Sequence, residues 1–243
     1  MNYRNLTDSE IQILKDQYCT CSDWSKVLVH NEFKTKYVKH VHFSGDIRLG
    51  KAEKVFELEG GLKQHSGIFH ATLHNCQIGD NVFIANIHRY IANYIISDNC
   101  YIENTQLLVT EPNSTFGNGK DVAVLNEAGG REIRITDQLS SHLAYILTLY
   151  RHRKETIENI TRIIDQYTES VKSDMGYIAP NVKITTCRNI KNVRIGECAV
   201  IDSASELING SINSNASDPV YVNVISDVLT LGAANQIFEG FNT

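Results

Sequence analysis

The chain carries no CxxC pair among its six cysteines, no G-x-G-x-x-G or G-K-[ST] loop, and no apolar run of membrane length. Each absence removes a class of protein. Cys19 and Cys21 form a lone C-x-C without the second pair that a structural zinc site needs. The missing glycine fingerprints exclude Walker and Rossmann phosphate loops. The longest apolar stretches, such as Leu143 to Leu147, fall far short of the ~20 residues of a spanning helix. The opening MNYRNLTDSE has no signal-peptide h-region. Excess positive charge is lacking too. With a net charge of −5 and a pI near 6.0, neither nucleic acid nor a membrane surface is an expected partner. Hydrophobic residues at 42% are enough for a soluble core, so a reduced, cytoplasmic protein is expected.

What the chain does have is repetition. LHNCQIGDNVFIANIHRY at 73–90 sits above IANYIISDNCYIENTQLL at 91–108. Under a shift of eighteen, Asn75 matches Asn93, Ile78 matches Ile96, Asp80-Asn81 matches Asp98-Asn99, and Ile84 matches Ile102. Later, Ile178, Ile184 and Ile190 map onto Ile195, Ile201 and Leu207 under a shift of seventeen. An apolar anchor about every six residues, three to a period, means a triangular coil whose sides stack at the inter-strand spacing of ~4.8 Å. Small or branched residues two positions before the anchors, such as Cys76, Val82, Cys100, Val193 and Gly210, share the narrow interior. The phrase [ILV]-x-[NH]-x-x-[ILF] recurs at 38–43, 73–78, 91–96, 102–107, 190–195 and 207–212. Its Asn suits a corner in left-handed backbone geometry, where stacked side chains bond along the axis; this marks architecture rather than chemistry.

The expected organisation is a cap at 1–37, a first stretch of β-solenoid at 38–110, a Gly/Asn-rich loop at 111–135, an inserted helical hairpin at 136–176 and a second β stretch at 177–243. Thr7-Asp-Ser-Glu10 reads as a capping box opening a short helix with Ile11 and Leu14, and Trp24, Val27 and Val29 as cover for the open end. The polar stretch Glu57–Ser66 reads as a protruding loop. Apolar stripes at Leu139, Leu143, Ile146, Leu147 and at Ile157, Ile160, Ile164, Val171 predict two helices joined by RHRK, with Gly176 placed to end the second. No closing helix is evident at the end, which suggests a piece of something longer.

The hexads, clearest at Ile78-Gly79-Asp80-Asn81-Val82 and Ile195-Gly196-Glu197, resemble the hexapeptide-repeat transferase superfamily over about 38–110 and 176–225. The resemblance implies a mainly β chain folded as a left-handed parallel β-helix and assembled as a trimer. The handedness comes from the resemblance alone. Acyltransferases of that superfamily use a coil-borne His as general base and hold coenzyme A in a groove between subunits. Others are zinc carbonic anhydrases, but His70, His74 and His88 have the wrong order and spacing for that ligand set, and no metal is expected. More narrowly, VAVLNEAGGRE at 122–132 with LYRHR at 149–153 resembles an uncharacterised bacterial family of longer proteins with the same β-helix and helical insertion.

Three groups are candidate chemistry. His70 and His88 lie eighteen apart, so the repeat stacks them at one corner with Gln106 next. Adjacent imidazoles repel when both are protonated, which favours a neutral ring, the form a general base requires. The competing reading makes them corner residues bonded to backbone. His74 alternates to an outer face and is expected to be surface only. In Asn126-Glu127-Ala-Gly129-Gly130-Arg131, the glycines let backbone N–H groups approach an anion, Arg131 can clamp a phosphate or carboxylate, and Glu127 can serve as a second base or grip a ribose hydroxyl. A tight turn explains the glycine pair equally well. Arg151, His152 and Arg153 gather positive charge at the helical joint, suited to pyrophosphate or simply to the helix dipole, and Arg89 extends the surface of His88.

Two functions follow. The first is an acyl transferase acting on a sugar or nucleotide-activated metabolite with a coenzyme A thioester donor, using His88 or His70 as base. The second is a non-catalytic trimeric scaffold whose loops bind a protein or glycan.

Overall fold

The computed structural model describes residues 3–123 and 132–223. Among them a mainly β architecture dominates, with one 15-stranded, largely parallel sheet and three α-helices: α1 (Asp8–Asp16), α2 (Ser141–Leu149) and α3 (Lys154–Val171). The sheet resolves into three parallel ladders. Val38, Ile68, Ile84, Ile102, Ile184, Ile201 and Val222 run down the first, each beside the next. Phe43, Leu73, Ile91, Leu108, Ile190 and Leu207 form the second. Val29, Leu49, Ile78, Ile96, Ile178, Ile195 and Ile212 form the third. All of these side chains belong to one hydrophobic cluster. The anchors therefore point into a shared interior, and Ile78 and Ile96 are neighbours in it. Burying each removes about 1.5–3 kcal/mol worth of apolar surface from water.

The corners between ladders take left-handed backbone. His40, Asn75, Asn93, Asn104, Asn192 and Asn209, the third residues of the recurring phrase, all have φ between 48° and 56°. Asn75 Nδ2 donates to Asn93 Oδ1 at 3.3 Å and Asn192 Nδ2 to Asn209 Oδ1 at 3.0 Å, so the corner amides bond along the axis.

The interior is fitted rung by rung. Tyr94 is fully buried one residue pair before Ile96, and its hydroxyl donates to Val193 O at 2.8 Å. The facing strand Gly176–Ile178 puts Gly176 directly beside it. A Cβ on Gly176 would lie 2.4 Å from the Tyr94 ring and 2.3 Å from Thr110 Oγ1. Gly176 thus makes room for a large neighbour. It does not end a helix, because α3 stops at Val171 and is followed by Lys172.

The N-terminal segment does more than cover an end. The capping box forms as expected, with the Thr7 and Glu10 side chains each accepting from the other's backbone N–H. Beyond it, Val27 and Val29 are buried and pair in parallel with Ile47 and Leu49, so this segment supplies a first partial rung. The polar stretch near Glu57–Ser66 is a hairpin rather than a loop. Val55–Glu57 pairs antiparallel with Lys63–His65, and Phe56 packs edge-on against Tyr101, 5.3 Å between centroids.

Between Thr110 and Gly176 the chain leaves the ladders. Ser114 and Ser173 close the base of this excursion, exchanging both backbone hydrogen bonds at 3.0 Å. Inside it, Asp121–Ala123 pairs antiparallel with Glu132–Arg134, and Ile133, Ile135, Leu139, Leu147 and Ile164 form a separate small core with α2 and α3. Arg134 bridges Asp121 at 3.0 Å and Asp165 at 2.6 Å, tying that hairpin to α3.

Candidate functional site

One corner breaks the regular beat, and a cleft opens there. Ile68 faces Ile84, sixteen residues on, whereas Leu73 faces Ile91, eighteen on. The rung at Asn86–Tyr90 therefore carries two residues more than the corner above it, and the surplus bulges outward. Such irregularities re-aim side chains and recur beside functional sites. Backbone bonding makes the bulge rigid. The Asn86 and Ile87 N–H groups donate to Phe69 O and His70 O on the rung above, while those of His88 and Arg89 donate to Thr105 O and Gln106 O below.

This step corrects the expected pairing of His70 with His88. His70 occupies the left-handed corner in register with Asn86, and its ring stacks on His40, with centroids 4.5 Å apart. Tyr18 stacks on His40 in turn, at 4.9 Å. His88 stands two residues past the corner. Both histidines still face one cleft of ≈ 260 Å³, lined also by Tyr18, Thr20, His40, His42 and Arg89.

Within that cleft the imidazoles have different partners. His88 Nε2 lies 2.8 Å from Asn104 Oδ1. An amide oxygen only accepts, so Nε2 carries a hydrogen, and the neutral tautomer with this bond has its free lone pair on Nδ1. His42 Nδ1 meets Thr20 Oγ1 at 2.8 Å. The Arg89 guanidinium lies 5.6 Å from the Tyr90 ring centroid and is exposed, and no ion pair holds it among the described residues. The arrangement offers a cation, an oriented imidazole and a flat stack of rings on one rigid wall. It can hold an anion and accept a proton from a hydroxyl or amine beside it.

His74 is not simply an outer surface residue. It is half-buried, with Nδ1 3.0 Å from Ser44 Oγ and Nε2 3.0 Å from Asn75 Nδ2. The Asn75 amide is oriented by the Asp46 N–H, which donates to its Oδ1 at 3.0 Å. Nδ2 must then donate to His74, so Nδ1–H donates to Ser44 and cannot take its proton. The Ser44–His74 pair is structural.

Asn126, Glu127, Gly129, Gly130 and Arg131 lie outside the described residues. Arg151 is half-buried, and its Nη2 donates to the Glu132 carbonyl, which fixes it against the insertion's hairpin. Arg153 is exposed just before α3. Neither lines the histidine cleft. No group of three or more metal-ligating side chains gathers among the described residues. Tyr18, Thr20, His40 and His42 also line this cleft, though none of them stands in a catalytic motif of the sequence. His40 was visible in the phrase at 38–43, where it occupies the Asn position, and that substitution was the available signal.

Two comparisons bear on these observations. The profile of a family described as "Domain of unknown function (DUF4954)" matches residues 3–242. An "Uncharacterized protein" of Treponema pallidum (strain Nichols) is 26% identical over 231 residues, covering 90% of this chain. The chain spans about a third of that relative's length, 32%.

Proposed function

The chain belongs to the DUF4954 family, a family of unknown function, and we propose that its ladders wind as a left-handed parallel β-helix and serve an acyl transfer. The repeated left-handed corners and the single core inside three parallel ladders support that winding. Trimeric assembly goes with this reading, as it does for hexapeptide-repeat transferases. One observation carries the chemistry: His88 Nε2 is held by Asn104 at 2.8 Å, which presents Nδ1 as a base inside a cleft that also contains Arg89. A base whose second nitrogen is fixed by a neighbouring side chain is the usual arrangement for activating a nucleophile.

In this reaction His88 Nδ1 takes the proton of a sugar hydroxyl or amine. The acceptor attacks the carbonyl of a coenzyme A thioester, the carbon–sulfur bond breaks, and the thiolate leaves with the proton returned by His88. Arg89 steers phosphate or carboxylate on the incoming molecule. His70, stacked face to face with His40, shapes the wall.

The test is a thermal-shift and activity panel of acyl-coenzyme A thioesters and nucleotide sugars. A native-state ligand raises the melting temperature, and His88→Ala should cost ~10²–10⁴ in rate with an unchanged melting temperature. If no thioester or nucleotide sugar shifts the transition, the reading fails and the non-catalytic scaffold takes its place.

A further inference from the structure

A second cleft, of ≈ 450 Å³, opens where the insertion meets the ladders, within the size range of small-molecule sites. Its residues come from both sides of that seam. Tyr177 and Arg194 sit on adjacent rungs, in the register that pairs Ile178 with Ile195. Asp137 and Tyr167 come from the insertion, and Asn213 and Asn215 from the rung below. The two sides are fixed to one another, because Asn213 Nδ2 donates to Asp137 O at 2.6 Å. Tyr167 Oη donates to Asp137 Oδ1 at 2.7 Å, and the Asp137 N–H donates to Asn118 Oδ1 at 2.8 Å.

The polar groups left over define a ligand. Arg194 is exposed and in no ion pair among the described residues, and no bridge joins it to Asp137 although both face the cleft. Asn215 Oδ1 already accepts from Ser217 N–H, Ser217 Oγ and Asp218 N–H, so its Nδ2 is left as a donor. Asn213 has committed Nδ2 to Asp137, so its Oδ1 is left as an acceptor. The second carboxylate oxygen of Asp137 is another acceptor. Hydroxyls satisfy such a mixture of donors and acceptors from one molecule, and the guanidinium fits a carboxylate in bidentate fashion. The ring of Tyr177, 37% exposed, adds a flat amphipathic surface for the C–H face of a pyranose.

We propose that this cleft binds an acidic saccharide of the uronate type, its carboxylate on Arg194, its ring against Tyr177 and its hydroxyls on Asp137, Asn213 and Asn215. The site is separate from the histidine cleft and does not depend on acyl transfer. The experiment is saturation-transfer NMR and titration of the intact chain with glucuronate and galacturonate, with glucose and glycine as controls. Saturable binding of a uronate is expected, weakened ~tenfold or more by Arg194→Ala, partly restored by Arg194→Lys and reduced by Tyr177→Ala. His88→Ala should leave this binding unchanged, which separates it from the acyl-transfer reading. No uronate binding, equal binding of glucose, binding unaffected by Arg194→Ala, or preference for glycine would each overturn it. The first two variants alter an exposed side chain, so unchanged melting temperatures confirm that they fold.

Discussion

His40 and His70 lie ring on ring, 4.5 Å between centroids and 9° from parallel. Both sit at left-handed corners, with φ of 55° and 50°, and Tyr18 above them has φ of 60°. Repeating one backbone geometry on successive rungs points the Cβ bonds the same way, so the rings come to rest in a stack. The stack separates two roles that the sequence had merged. His70 shares its ring face with His40, while His88 stands clear of both with one nitrogen held by Asn104.

Asn104→Ala should lower kcat about tenfold or more with little effect on KM, because it releases the imidazole from its reactive orientation without removing it. His70→Ala should act mainly through KM. Steady-state kinetics with an acyl-coenzyme A donor distinguish the two, and equal loss of kcat in both variants would count against His88 as base.

Gly176→Ala should destabilise the fold by ~1–3 kcal/mol, since the new Cβ would overlap the Tyr94 ring and the Thr110 hydroxyl, both fully buried. Tyr94→Leu introduced alongside it should recover part of that loss. Urea denaturation of both single variants and the double variant measures the coupling, and strict additivity would show that the contact does not matter.

Tyr94→Phe should cost ~1–3 kcal/mol by itself. It removes the hydroxyl that donates to Val193 O at 2.8 Å and accepts from Val193 N–H at 3.3 Å, leaving buried backbone groups without a partner. Denaturant unfolding reads this directly.

Acid should act through Glu10. Hydrogen bonds from Arg4 above all, with those from Thr7, hold its carboxyl at about 2, below its ordinary 4.5. A depressed carboxylate contributes stability that is complete above its unfolded value and is lost as pH falls through the folded one. The stability gap between the native chain and Glu10→Gln should therefore be constant above about pH 5 and shrink towards pH 2. Glutamine keeps the capping box, so the comparison isolates the charge. A gap independent of pH would contradict the assignment.

Much of the fold was legible because its spacing is periodic. Ile78, Ile96, Ile178 and Ile195 repeat at intervals that only stacked strands satisfy, and the Asn corners announced their backbone geometry by residue type. The site was less legible. Pairing His70 with His88 assumed one shift throughout, and two extra residues at Asn86–Tyr90 broke it locally. Gly176 looked like a helix stop because its true neighbour, Tyr94, is far away in sequence. The cleft around Arg194 carried no local signal, since Asp137 and Tyr167 reach it only once the insertion has folded back on the ladders.

The bridge between Ser114 and Ser173 makes the insertion a side branch. Leu108 lies directly against Ile190 on the next rung, so tension along that ladder passes from one to the other without crossing the insertion. The branch is therefore free to change length or content over evolution while the shaft keeps its pitch. Pulling along the axis should separate rungs before it strains α2 and α3.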